Sequence, residues 1–337
     1  LDVSVVIRSK DEADRLRLTL TSLARQSEAA EVVVVNDGSS DHTRAVLEEA
    51  AGWLPLTVIH HGAPRGRSEA SNAGARAASG EILLFLDGDT LAGPDLVRRT
   101  KGAHAARGGM VGRGEVFHLR HTRFLKDPQT AEPWPHQAER VGRMPSAERE
   151  RLKVTRDQVL EDFEAVTSRA EAGVYPGAGP RELHERELDA LRHHPDCAVL
   201  WATATGSNLS TPRTAFLEVG GFHEGGGYTE HRELALKLCQ AGLRMRLIED
   251  ASTYHLTHRN GWRDPLQEAD WELIFYHLHP IRAVKLLAVF WASVTPNNLI
   301  PAGAKISSLP ALELAARGDN GVDYDAVRAR LGLQPLP

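Results

Sequence analysis

One stretch restricts what this chain can become: Glu81-Ile82-Leu83-Leu84-Phe85-Leu86-Asp87-Gly88-Asp89-Thr90. Residues 82–86 are large and apolar with no polar alternation, the pattern of a strand covered on both faces. The run stops at two carboxylates separated by one glycine. Asp and Gly are depleted inside strands and favoured in turns, so both acids are expected just past the strand's carboxyl end. Open α/β sheets bind ligands at that end. Two carboxylates this close repel each other and favour a hard cation with oxygen ligands. The expectation is a divalent metal that holds a phosphate-bearing ligand.

The flanking sequence repeats the pattern. Residues 3–7, 31–36 and 56–60 read as strands, and Leu16, Leu20 and Leu23 have helical spacing. Asp41 is expected to N-cap a helix that runs to about residue 51, and residues 66–79 to form an Ala-rich helix with Gly80 as its C-cap. Four strands alternating with helices predict a parallel sheet with right-handed crossovers. A helix over 94–106 and a strand over 110–118 continue it. Further on, 198–203 reads as a strand, 206–210 as a turn, and Thr211-Pro212 as a helix start. A helix over 233–241 follows, then short strands over 243–248 and 253–256. Helices over 265–278 and 281–294 precede a polar tail from residue 296.

Residues 119–197 differ in character. They are charged, with polar helices expected over 147–169 and 181–192. Leu152, Val159, Leu160, Phe163 and Val166 form an apolar stripe sufficient for docking but too thin for a separate core. The segment reads as an insertion or lid.

Composition removes several classes. Of 337 residues, 42% are hydrophobic and 25% charged, which is ordinary for a globular protein. A net charge of −5 gives no general attraction to nucleic acid. Cys197 and Cys239 are the only cysteines, so no disulfide framework is implied and a reducing compartment fits. Residues 1–8 read as a strand rather than a signal peptide, and the missing initiator Met implies processing. No apolar run is long enough to cross a bilayer. A cytoplasmic protein is expected. The helix over 281–294, with Arg282 and Lys285, could lie on the inner face of a membrane, pack on the domain, or form a dimer interface. Packing is the commoner use of such a face.

The order of motifs says more than any one of them. Val3-Ser4-Val5-Val6-Ile7 is followed by Val35-Asn36-Asp37-Gly38-Ser39-Ser40-Asp41, then Asn72-Ala73-Gly74, then Phe85-Leu86-Asp87-Gly88-Asp89. Downstream come Gly206-Ser207-Asn208-Leu209-Ser210, Gly220-Gly221-Phe222-His223-Glu224, Glu230 ahead of an apolar helix, and Tyr254-His255-Leu256-Thr257-His258. This series closely resembles the family 2 glycosyltransferases of the GT-A fold over roughly residues 1–118 and 198–260. The resemblance implies an α/β protein: a Rossmann-like, mostly parallel sheet flanked by helices, with a helical insertion and C-terminal helices. It divides the chain into a nucleotide-sugar-binding half (1–118), the insertion (119–197), an acceptor half (198–262) and C-terminal helices and tail (263–337).

The resemblance also implies a nucleotide-sugar donor, with a UDP-sugar favoured. The acceptor would be a hydroxyl on a saccharide, a lipid-linked molecule or a small molecule, and the ion Mn²⁺ or Mg²⁺. By position, Asp37 would contact the nucleotide base, Asp87 would lie near the ribose and donor sugar, and Asp89 would ligate the metal. Asp11 and Asn72 would touch the donor, and Gly206 and Ser207 would sit beside the donor sugar. His255 and His258 occupy a position where a metal ligand is common, and imidazole favours Mn²⁺ over Mg²⁺.

The sequence departs from the family pattern at Glu230-His231, where Glu-Asp is usual. His231 stands where the Asp base would lie and could deprotonate an acceptor hydroxyl, with an unperturbed pKa of about 6.5. Glu230 could do so after a one-residue shift. Asp11 replaces the usual Asn, and Ser71 the usual Arg. Inversion at the anomeric carbon is implied.

A sugar-1-phosphate nucleotidyltransferase is the rival enzyme class, but it expects a Gly-rich loop after the first strand, and Arg8-Ser9-Lys10-Asp11-Glu12 has no glycine. A non-catalytic nucleotide-sugar binder is the third reading. Trp201, Trp262 and Trp271 could stack on a sugar, although core positions are commoner. His60-His61 and His193-His194 read as solvated or structural pairs, and Gly225-Gly226-Gly227 as a mobile connector.

Overall fold

A computed structural model describes residues 1–173, 181–225, 227–258, 270–295, 299–318 and 321–337. Gly226, Trp262 and the expected helix start at residue 265 lie outside the described residues. The strands are β1 (Val3–Ser9), β2 (Glu31–Asp37), β3 (Leu56–His61), β4 (Ile82–Asp87), β5 (Thr90–Ala92), β6 (Met110–His118), β7 (Leu125–Asp127), β8 (Glu132–Pro133), β9 (Glu171–Ala172), β10 (Leu209–Pro212) and β11 (Arg244–His255). The main sheet runs β3-β2-β1-β4-β10-β6-β11-β5, with β9 added to β6, while β7 and β8 pair separately. The first four strands are mutually parallel, and β10 is antiparallel to both β4 and β6.

The period of two along each strand sends alternate side chains to opposite faces. Val5, Ile7, Val34, Leu84 and Leu86 pack on one side with Leu16 and Leu20 of the helix Ala13–Ala24. Val6, Val33, Leu83 and Phe85 pack on the other. That second face is covered largely by the carboxyl-terminal part of the chain. The helix Arg282–Ser293 buries Val284, Leu287, Val289, Phe290 and Trp291 there. Its apolar side is thus an interior face rather than a membrane-facing one. No described helix is long and apolar enough to cross a membrane.

Several local expectations are corrected. Residues 198–203 are not a strand: Leu200–Thr203 is a buried 3₁₀ turn, because a short apolar run has no periodicity to separate the two. Residues 209–212 pair as β10 between β4 and β6, so the next helix starts at Arg213. The expected long helix over 147–169 breaks into Ser146–Leu152, Arg156–Glu161 and Phe163–Thr167. Thr155 and Asp162 each cap a new start, with their side chains accepting the N–H of Gln158 and Ala165.

Asp41 does not occupy the N-cap position of Thr43–Ala50, though its carboxylate takes the N–H of both Thr43 and Ala13. Gly80 is no C-cap either. It lies against β1, where a Cβ would sit 2.5 Å from Ser4 Oγ. The two short strands expected over 243–256 are one, β11, irregular between Leu247 and Ser252. The tail holds two helices, Leu309–Arg317 and Tyr324–Arg330.

The last of these helices is fixed by a buried ion pair. Arg328 Nη2 donates to Glu272 Oε2 at 2.9 Å, and the guanidinium also serves the carbonyls of Lys285 and Gln334. Removing one partner strands the other charge. Arg328→Ala is expected to cost about 3–5 kcal/mol, read as a lower urea midpoint; a loss below about 1 kcal/mol would contradict this packing.

His104, on the helix Leu96–Ala106, ties it to β10 through Ser210 Oγ at 2.9 Å. Burial pushes its pKa down to about 4. The unfolded chain takes up that proton near pH 6.5 and the folded one only near 4. Stability is therefore complete above pH 6.5 and falls, by on the order of 3 kcal/mol, as the pH drops to 4. His104→Gln should remove that part of the slope in unfolding measured between pH 7 and 4.

Candidate active site

A cavity of about 590 Å³ opens where β1, β2 and β4 end. Asp37, Asp87, Asp89, Gly206, Ser207, Glu230, His231, His255 and His258 all line it. Of the expected donor contacts, Asp11 and Asn72 do not.

Asp89 is buried, 5% exposed. Its Oδ2 lies 3.1 Å from both His255 Nε2 and His258 Nε2. Sheet pairing makes this meeting: Thr90 is opposite His255 in the β5–β11 ladder, and the N–H of Leu256 donates to the Asp89 carbonyl at 2.8 Å. One ligand atom from each of the three residues falls within 4.8 Å of the others. One carboxylate oxygen and two imidazole nitrogens form a set that can hold a divalent transition ion.

The surrounding titrations follow from burial. Desolvation alone would raise the Asp89 carboxyl, but His255 and His258 outweigh it and hold it well below the usual range. Glu12 goes the other way, pushed well above by burial and by the charges of Asp89 and Asp87. His118, with Nδ1 3.3 Å from His255 Nδ1, is pushed down to about 2 by burial and then by His255. Gly88 lies close to this acid, and a Cβ there would sit 2.3 Å from Glu12 Oε1 and 2.9 Å from Ser9 Oγ.

Arg8, at the end of β1, links the two acidic motifs. Its Nε donates to Asp87 Oδ1 and its Nη1 to Glu230 Oε1, both at 2.9 Å. The second oxygen of Glu230 pairs with Arg67 at 3.1 Å. Glu230 opens the helix Glu230–Gln240, three residues earlier than expected, where the helix dipole also favours an acid. Both oxygens of Glu230 are thus committed to arginines.

His231 Nε2 lies 3.1 Å from Arg232 Nη1. A guanidinium only donates, so Nε2 accepts and the proton sits on Nδ1, the nitrogen that faces Gly206. Burial, then Arg232 and Arg8, hold the His231 pKa well below the usual value. In this arrangement both oxygens of Glu230 and Nε2 of His231 face arginines.

Asp37 is buried, its Oδ1 taking His61 Nδ1 at 2.7 Å and the Arg65 N–H at 2.8 Å, its Oδ2 the Gly66 N–H at 2.9 Å. Burial would raise its pKa; those three donors together lower it. Asn72 spends its amide on the backbone of Phe222, at 2.8 Å in both directions, and so holds the Gly220-Gly221 turn rather than facing a ligand. Asp11 has a left-handed φ of 54°, is exposed, and accepts the Ser40 N–H at 2.7 Å, tying two loops together. Trp201 and Trp271 lie in the core. His61, grouped above with solvated or structural pairs, is the buried partner of Asp37.

Arg8, Glu12, Arg67, Arg113 and Arg232 were not singled out from the sequence, yet all line the cavity. So do Leu183, His184 and Glu187, from the helix Arg181–His193. The signal available was a His and a Glu three apart on one face of an amphipathic helix.

A family model described as "Glycosyl transferase family 2" matches residues 4–114. The chain is 29% identical over 263 residues to the uncharacterized glycosyltransferase YfnE of Bacillus subtilis (strain 168), covering 77% of this chain and 65% of that protein. It is 29% identical over 350 aligned residues to the validoxylamine A glucosyltransferase of Streptomyces hygroscopicus subsp. jinggangensis (strain 5008), covering 99% and 73%. This chain therefore spans only part of the length of either relative. Among solved structures, S. aureus TarS 1-349 in complex with UDP-GlcNAc superposes with a TM-score of 0.54 at 13% identity, covering 87% of this chain and 70% of that one. GalNAc-T7 with UDP, GalNAc and Mn²⁺ gives 0.54 at 15% identity, covering 99% and 59%. At such identities the structural likeness concerns the fold. Motif order, sheet topology and these likenesses agree: residues 4–114 match the family 2 glycosyltransferases, and the chain has the GT-A fold.

Proposed function

We propose that the protein transfers a sugar from a UDP-sugar to an acceptor hydroxyl with inversion, using a divalent metal, Mn²⁺ in preference to Mg²⁺. The observation that carries this reading is the group Asp89, His255 and His258 in one cavity with Asp37 and Asp87. The nitrogen-rich donor set favours Mn²⁺. With the ion bound, charge developing on the departing diphosphate would be offset.

Asp37 Oδ2 has capacity for one more hydrogen bond, which suits a base N–H. Asp87, oriented by Arg8, is assigned to the ribose and donor sugar, with Gly206 and Ser207 beside them. Asp11 and Asn72 become supports of the loops around the donor rather than donor contacts. The halves 1–118 and 198–262 then form the donor and acceptor sides, with 119–197 closing the acceptor side. A relative named for glucosyl transfer to validoxylamine A makes UDP-glucose the first donor to try and a hydroxylated small molecule the first acceptor.

The nucleotidyltransferase reading is weaker still here, since Arg8 is held between Asp87 and Glu230. A non-catalytic binder is favoured by one observation, the commitment of Glu230 and His231 to arginines. Release of UDP from a UDP-sugar separates the two: a protein that releases none is a binder.

Binding is tested by melting with UDP-, GDP- and dTDP-sugars and Mn²⁺. A UDP-sugar at about 100 times its Kd should add about 2.7 kcal/mol of stability, and Asp89→Ala should abolish the Mn²⁺-dependent part. An unchanged metal response in Asp89→Ala would overturn the metal assignment.

A further inference from the structure

We propose that His118, on β6, fixes the tautomer of His255 and thereby keeps a lone pair on the nitrogen that faces Asp89. His118 acts through His255, as a positioning residue for the metal. This rests on the metal assignment above, which uses His255 Nε2, 3.1 Å from Asp89 Oδ2.

Sheet register brings the two imidazoles together. β6 and β11 run parallel, with Val116 opposite Thr253, Phe117 opposite Tyr254 and His118 opposite His255. Residues in register on neighbouring strands point to the same face, so the two histidine rings meet. One position earlier, on the opposite face, Phe117 stacks on Tyr254 with ring centroids 5.4 Å apart, and Phe163 closes on Tyr254 edge-on. This aromatic group supports the register; a slip of one residue would carry one histidine to the other face. The N–H of Leu119 also donates to the His255 carbonyl at 2.9 Å. His118 is itself buried, 8% exposed, and lines the cavity.

The contact runs from Nδ1 to Nδ1 at 3.3 Å, with the ring planes 75° apart, which excludes stacking. In such a hydrogen bond one nitrogen donates and the other accepts. A neutral imidazole carries its proton on one nitrogen and its free lone pair on the other. For His255 to offer the Nε2 lone pair, its proton must sit on Nδ1. His118 Nδ1 must then accept, which places the His118 proton on Nε2. The reverse arrangement, with His118 donating, puts the His255 proton on Nε2, where it blocks ligation. Ligating histidines are generally held by a partner of their second nitrogen, most often a carboxylate, a carbonyl or water. Here that partner is a second imidazole. With its Nδ1 lone pair used on His255, His118 supports the group Asp89, His255 and His258 without joining it as a ligand.

The test uses the full chain and titration calorimetry with Mn²⁺ in the presence of UDP. His118→Leu keeps the bulk of the side chain but has no acceptor, and its Mn²⁺ affinity is expected to fall about 10- to 100-fold. His118→Asn sets an amide oxygen near the place of Nδ1 and should restore most of that loss. Nitrogen NMR of histidine-labelled wild type with Zn²⁺, a diamagnetic ion that takes the same ligand types, reads the tautomers directly, whether or not the variants fold. The proton is expected on Nδ1 of His255 and on Nε2 of His118. Wild-type affinity in His118→Leu, an equal loss in His118→Asn, or a His118 proton on Nδ1 in the Zn²⁺ complex would each overturn the inference. A wild-type chain that binds no Mn²⁺ overturns the metal assignment, and the inference with it.

Discussion

A carboxylate cannot be taken out of water at the end of a sheet without something to neutralise it. Asp89 is such a carboxylate, and much of the molecule serves its compensation. The β5–β11 ladder fixes its backbone, and that same ladder delivers His255. His258 follows three residues later and reaches the same oxygen. Residues 166 positions apart in sequence are brought into contact because β11 crosses to the far side of β6 and pairs with the short strand behind Asp89.

The rest of the cavity extends this logic of paired burial. Arg8 holds Asp87 and Glu230 together, Arg67 completes Glu230, and Arg113 takes one oxygen of Glu187. Each acid arrives on a different element, so the arginines fix the relative positions of β4 and the helices Glu230–Gln240 and Arg181–His193. The cavity thus has a carboxylate–imidazole end around Asp89 and an arginine-rich end around Arg113 and Arg232. The first suits a metal and a diphosphate. The second is built partly by a segment outside the family match.

How much was legible in the sequence follows from where each residue gets its instructions. The strand over 82–87 could be read because burial on both faces leaves an unalternated apolar run. The placement of Asp37, Asp87 and Asp89 at strand ends then followed from local chemistry alone. Asp11 and Glu12 could not be told apart in this way. Backbone at Asp11 turns left-handed and sends its side chain to Ser40, while Glu12 turns inward, and nothing in the dipeptide says so. Glu230 and His231 line the cavity, but their arginine partners were not legible, since Arg8 lies 222 residues from Glu230 in the chain. The place of Glu187 was not legible for the same reason: its partners Arg113 and Arg232 lie on other elements.

Pulsed electron paramagnetic resonance of Mn²⁺ added to the protein with UDP reads the Asp89–His255–His258 group directly. Two imidazole nitrogens coupled to the manganese spin are predicted, one of which disappears in His258→Ala. A spectrum with no nitrogen coupling would contradict the placement of the metal, and with it the arrangement of the donor around Asp89.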